Sequence, residues 1–156
     1  MKSRSAKKKQ VTIEWSDKFL EKIKGTHKRN LTKVVARIMK RTATTKNSLV
    51  ARSKKYDVEC NVTVDELRQL MFDSYGTKCK YCDKILKIDN MVFDHIVPIS
   101  KEGTSNIDNL QIICRTSNGM KGSLTEENFG ILLEWLKTVP DELSRDIRIR
   151  LSKGIN

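Results

Sequence analysis

No apolar run in these 156 residues approaches the length needed to span a bilayer. With 38% hydrophobic and 32% charged residues the chain is too polar for a membrane protein, and no membrane partner is expected. The opening residues MKSRSAKKKQ are basic with no apolar stretch behind them, so no secretory signal is expected. Cysteine is scarce as well. Cys60, Cys79, Cys82 and Cys114 are too few and too unevenly placed for a secreted disulfide framework, and free thiols in a reducing cytosol are the expected state. Aromatic residues make up 6% of the chain, and the basic first third offers only Trp15 and Phe19 as platforms for unstacked bases, which gives little support to an RNA-binding module. There is no internal repeat. What remains is room for one domain with a modest core, or one domain plus an arm.

What is abundant is positive charge, and it is unevenly spread. The formal net charge is +12. Residues 1–55 hold 18 Lys/Arg against three acids, Glu14, Asp17 and Glu21, whereas the remaining 101 residues are slightly acidic. Such a block attracts polyanions through counterion release, and nucleic acid is the usual partner. The first ten residues suit a flexible solubilising tail equally well. Beyond them the charge is interleaved with apolar residues at helical spacing. A short helix from about Ser16 to Lys24, ended by Gly25, would bury Phe19, Leu20 and Ile23. A second, capped by Asn30, would bury Val34, Val35 and Ile38, with Lys33, Arg37, Lys40 and Arg41 around them. Residues 43–47 read as a linker before a short basic helix, SLVARSKKY, that carries Arg52, Lys54 and Lys55.

Further along, Thr63-Val64-Asp65-Glu66 has the form of a capping box, opening a helix whose stripe of Leu67, Leu70, Met71 and Tyr75 faces the core and which Gly76 ends. Residues 91–99 (MVFDHIVPI) predict a strand closed by Pro98, and LQIIC (110–114) predicts a second. RTSNGMKG begins a helix. Two more follow: Glu126 to Lys137, capped by Thr125, and Pro140 to about Lys153, stopped by Gly154.

The chain has only two histidines, and one follows directly on an acid in Phe93-Asp94-His95-Ile96-Val97-Pro98. A carboxylate and an imidazole near the end of a strand suit metal and base chemistry, because the turn at Pro98 relaxes strict alternation and lets both groups approach one site. By residue type alone a surface or hydrogen-bonded structural histidine is the more usual case. Ordinary turn formers at Asn106, Asp108 and Asn109, and a helix-breaking pair at Asn118-Gly119, are equally in keeping.

Taken together, Cys79-x-x-Cys82, the run Asp94 to Lys101, the run Asn106 to Gln111, and Cys114-Arg115-Thr116-Ser117-Asn118 followed by Lys121 resemble the HNH endonucleases, most closely the small phage and mobile-element type. The resemblance covers roughly residues 48–124. It implies an α+β fold: a ββα-metal finger with flanking helices and a basic helical N-terminal arm. The corresponding segments are 1–55 for the arm, 56–124 for the nuclease core and 125–156 for the C-terminal helices. It further implies that His95 is a general base with a pKa close to working pH, that Asp94 and Asn118 hold Mg²⁺ (or Mn²⁺), and that Asn109 pins the loop beside His95. The substrate implied is DNA, for which the basic arm offers Lys33, Arg37, Lys40, Arg41, Arg52, Lys54 and Lys55 as contacts and the core Arg115 and Lys121. A phage origin would place the protein in the cytoplasm of a bacterial host.

The cysteines depart from the family pattern. Many relatives complete a four-cysteine zinc site with a second knuckle, which here reads Cys114-Arg115-Thr116-Ser117. Serine is a poor zinc ligand because its hydroxyl does not ionise near neutral pH. Cys79, Cys82 and Cys114 would bind structural Zn²⁺ only with a water, another side chain or Cys60 as the fourth partner; otherwise they pack as small apolar groups. The alternative to an endonuclease is a catalytically inactive nucleic-acid-binding module on the same scaffold. Retention of Asp94, His95, Asn109 and Asn118 together favours the enzyme.

Overall fold

A computed structural model describes residues 17–25 and 28–153. The expectations for the first ten residues, for Trp15, for a helix start at Ser16 and for a stop at Gly154 lie outside these. Helix α1 (Asp17–Ile23) is followed by α2 (Lys28–Tyr56), α3 (Val64–Ser74), strand β1 (Met91–His95), strand β2 (Leu110–Cys114), α4 (Arg115–Lys121), α5 (Glu126–Thr138) and α6 (Asp141–Ser152). Among the described residues the sheet is a two-stranded antiparallel ribbon in which Met91 faces Cys114 and Asp94 faces Gln111. With α4 leaving directly from β2, the result is the α+β arrangement expected, a two-stranded ribbon followed by a helix.

The largest departure from the sequence reading is α2. The expected linker at 43–47 does not exist; residues 28–56 form one helix of 29 residues. No glycine or proline interrupts this span, and its polar residues bond back onto the helix. Thr42, Thr44 and Ser48 donate their hydroxyls to the carbonyls of Ile38, Lys40 and Thr44, four residues earlier, so the β-branched and small polar residues that suggested a loop are accommodated within the turn. Nor does Asn30 cap the helix, which has already begun at Lys28. Asp57, in the left-handed region at φ 54°, ends it. Despite its length α2 is polar, and no helix among the described residues is long and apolar enough to cross a membrane.

Buried anchors tie α1 and α2 to the rest. Phe19 is fully buried and meets Phe72 edge to face at 5.0 Å between ring centres. Ile38 joins the same cluster beneath Met71, Met91 and Ile113, whereas Leu49 packs with Val62, Leu67 and Leu110. Leu20, expected in the core, is exposed. The capping box forms: Thr63 accepts from the Glu66 backbone N–H, and the Glu66 carboxylate accepts from the Thr63 backbone N–H. A third cluster of Met120, Phe129 and Leu136 holds α4, α5 and α6 together. Helix α4 runs straight through the Asn118-Gly119 pair, and Gly119 is where α6 comes closest: a Cβ there would lie 2.3 Å from the Ser152 carbonyl oxygen.

Candidate active site and cysteine cluster

Strand β1 is shorter than expected, ending at His95, so the chain turns at Ile96–Val97 and carries on into a 3₁₀ turn at Ile99–Lys101. The long loop that follows is folded tightly on itself. A Cβ at Gly103 would lie 1.9 Å from the Val97 carbonyl oxygen, so only glycine fits. Asn109 staples the loop. Its side-chain oxygen accepts from the Val97 N–H at 2.9 Å, and its amide nitrogen donates to the carbonyls of Val97 (3.0 Å) and Thr104 (2.7 Å). These bonds fix the backbone immediately after His95.

A cleft of about 250 Å³ opens at this point, and Asp94, His95 and Asn118 all line it, together with Arg52 and Tyr56 from α2. Asp94 and His95 are each only 7% exposed. Asp94 Oδ2 accepts from the Gln111 amide at 2.9 Å and lies 3.1 Å from Lys121 Nζ. Gln111 is the cross-strand partner of Asp94, which explains why their side chains share a face. Gln111 also donates to the Tyr81 hydroxyl at 3.1 Å, and that hydroxyl donates to Glu126. Burial pushes the Tyr81 phenol up to about 12, so it stays protonated. Burial likewise raises the Asp94 carboxyl, and the opposing pull of Gln111 and Lys121 does not cancel it.

His95 is anchored from the opposite side. Its Nε2 lies 2.9 Å from Ser105 Oγ, which in turn accepts from Ser53 Oγ of α2 at 2.8 Å. Both serines are buried, so this chain of hydroxyls is shielded from solvent. The imidazole does not have the near-neutral pKa expected from sequence. Burial, then the charges of Arg52 and Lys121, push it down to about 4, and the ring is neutral at physiological pH.

Lys121 requires a correction. It was expected as a surface contact for phosphate, but its side chain is buried and its ammonium donates to the His95 carbonyl at 2.7 Å and pairs with Asp94. The other basic residues do lie at the surface or in clefts. Arg52 lines the cleft of Asp94 and His95; Lys33, Lys54 and Lys55 are exposed on α2, and Arg115 is exposed at the start of α4. Sequence reasoning missed Ser53, Ser105 and Tyr81 altogether, and gave Gln111 no role.

The second feature is the cysteine cluster. Ligand sulfurs of Cys79, Cys82 and Cys114 all lie within 4.8 Å of one another, with Cys82 and Cys114 3.4 Å apart. Tetrahedral zinc with Zn–S of about 2.3 Å needs sulfurs about 3.8 Å apart, so the spacing suits it. Ser117 Oγ lies beside them, 3.3 Å from the Cys114 sulfur and 3.6 Å from that of Cys79. Cys60 is not a candidate: it packs against the Leu49 and Val62 cluster. Backbone N–H groups of Cys114 and Ser117 point at the sulfurs of Cys79 and Cys114, each at 3.4 Å. Burial would raise the Cys114 thiol, but the hydrogen bonds from Ser117 and the neighbouring cysteines outweigh it and lower the pKa. The arrangement is compatible with metal binding.

No curated protein matches this chain, and no solved structure does. Residues 79–124, which run from the first cysteine through the ribbon and its loop to just past α4 and carry Asp94, His95, Asn109 and Asn118, match the family model for HNH endonucleases.

Proposed function

We propose that the protein is a metal-dependent endonuclease that hydrolyses phosphodiester bonds in DNA. The observation that carries this reading is the convergence of Asp94, His95 and Asn118 on one polar cleft within the HNH segment. A carboxylate and a side-chain amide are hard oxygen donors, which suits Mg²⁺ or Mn²⁺. The fit is supported by Asp94 itself, whose burial leaves its negative charge under-compensated even beside Lys121. When bound there, a divalent ion supplies neutralisation of the charge that builds on the scissile phosphate and the leaving 3′ oxygen.

His95 takes the proton of the attacking water. Because Nε2 is turned inward to Ser105, the nitrogen available for this is Nδ1, and base action requires the tautomer with hydrogen on Nε2. Ser105 permits it: one of its lone pairs takes the Ser53 hydroxyl and the other can take Nε2–H. A phosphate entering the cleft opposes the charges of Arg52 and Lys121 that depress the imidazole, and so raises its basicity where a base is needed. Arg52 faces the phosphate, and Asn109 holds the backbone after His95 in place. Zn²⁺ in the Cys79, Cys82 and Cys114 cluster, with Ser117 or a water completing it, would be structural.

A second reading, an inactive nucleic-acid-binding module, draws on one observation: the Lys121 ammonium already sits on Asp94, where it would compete with a metal ion. Supercoiled plasmid incubated with the protein, with and without Mg²⁺, separates the two. Metal-dependent nicking or linearisation is expected from the enzyme. Retarded plasmid with no cleavage under either condition would favour the module.

A further inference from the structure

Helix α2 contains ten Lys and Arg and no acidic residue over 29 positions. Its charge is not evenly arranged around the axis. Arg37, Arg41, Thr44, Ser48 and Arg52 follow one another at intervals of three or four residues, which places them along a single face. That face borders three clefts in a row. One of about 400 Å³ is lined by Arg37, Lys40, Arg41, Thr44 and Ile88. The next shares Arg41 and Thr44 with it and adds Ser48, Arg52 and Phe93. Arg52 and Phe93 then also line the cleft of Asp94 and His95. A continuous groove therefore leads along α2 into the candidate active site.

Its far end is a cluster of guanidinium groups. Arg41 donates to the Ile88 carbonyl at 2.9 Å, which fixes it at the groove wall. Burial, then the nearby Arg115 and Arg37, hold it below its ordinary range, so three like charges approach one another from α2 and from the start of α4. Against them stands Asp89, which pairs with Arg37 at the surface. Between the ends the α2 face carries the small, uncharged Thr44 and Ser48, whose hydroxyls are turned back onto helix carbonyls.

We infer that this groove is a track for the backbone of the DNA strand that enters the cleft, with Arg37, Arg41 and Arg115 forming a phosphate clamp remote from the cut. The inference rests on the nuclease reading for its direction into the active site, but its charge and shape stand alone. At 1.5 Å per residue, Arg37 to Arg52 spans about 22 Å, or roughly six or seven nucleotides at 3.4 Å each. The charge complementarity selects a polyanion, and the arginines suit phosphate through their paired donors. Asp89 is a restraint on the clamp: it occupies Arg37 until a phosphate displaces it.

The test measures binding of the full chain to a mixed-sequence duplex of about 20 base pairs, by fluorescence anisotropy between about 50 and 200 mM salt with no divalent ion present. Arg115→Gln alters an exposed side chain and Arg41→Gln one that also bonds Ile88, so the first leaves the fold untouched if the second does not. Each is expected to reduce the slope of log affinity against log salt by about one. Asp89→Asn is expected to act in the opposite sense, tightening binding about two- to fivefold at low salt by freeing Arg37. Unchanged slopes in both arginine variants, or weaker binding by Asp89→Asn, would overturn the track. So would tighter binding to single-stranded RNA of the same length. Because the assay needs no catalysis, reduced slopes in a protein that never cuts plasmid would keep the track and remove the nuclease reading. Unchanged slopes in a protein that cuts would do the reverse.

Discussion

Among single residues, the site is held by partners that the sequence does not advertise. Asp94 and His95 are legible because they adjoin one another at the end of a strand within a recognisable motif. Ser53 and Ser105 are not, since the two hydroxyls lie 52 residues apart and meet only in the folded chain. The burial of Lys121 was equally hidden: a lysine beside a helix terminus reads as a surface charge, and only the packing of α4 on the ribbon turns it inward. Gln111 had a signal that went unused, because antiparallel pairing of the two strands places it opposite Asp94. The hydroxyl pair makes a definite demand on catalysis. Ser105→Ala removes the oxygen that can accept from Nε2–H and so hold that tautomer, and is expected to lower kcat roughly ten- to a hundredfold with little change in DNA affinity. Ser105→Thr, which keeps the oxygen, should recover part of the loss. Equal kcat in wild type and Ser105→Ala, from cleavage time courses at saturating DNA, would remove the tautomer argument.

Among the secondary-structure elements, periodicity and capping located the helices and strands well wherever a local interaction decides the outcome. The capping box at Thr63 and Glu66, the Thr125 cap and the strand at 110–114 are such cases. The error at 43–47 arose where local propensity and tertiary packing disagree. Two threonines and an asparagine favour a loop, but Ile38 on one side and Leu49 on the other are both fully buried, and a continuous helix is what lets both reach their clusters. The cysteine cluster is a second element whose completeness the sequence left open. Three sulfurs within 4.8 Å of one another, with Ser117 beside them, lead us to expect about one zinc per chain in protein purified without chelator, by elemental analysis. Ser117→Cys should hold that zinc against a chelator for longer. Zinc-free protein that keeps its fold would show that the sulfurs pack as small apolar groups instead.

For the molecule as a whole, the unequal distribution of charge along the chain has a different meaning once the fold is known. The basic first third is not merely attached to the ribbon. It places Phe19 and Ile38 in the same buried cluster as Met91 and Ile113, and Ser53 and Arg52 beside His95. The basic charge of α2 and side chains that shape the cleft thus share one helix. Truncating Phe19 to alanine is expected to cost about 3–5 kcal/mol of stability, read from urea unfolding, because a fully buried ring against Phe72 leaves a cavity. An unchanged midpoint would mean that α1 is an appendage.

The central claim is that the cleft of Asp94, His95 and Asn118 hydrolyses DNA with His95 as the base. Its most direct test is the rate of supercoiled plasmid cleavage in Mg²⁺ by His95→Ala beside wild type, with DNA affinity measured on the same preparations. The expected result is cleavage by wild type, loss of cleavage in the variant and nearly equal affinity in both. Wild-type rates from His95→Ala would contradict the account.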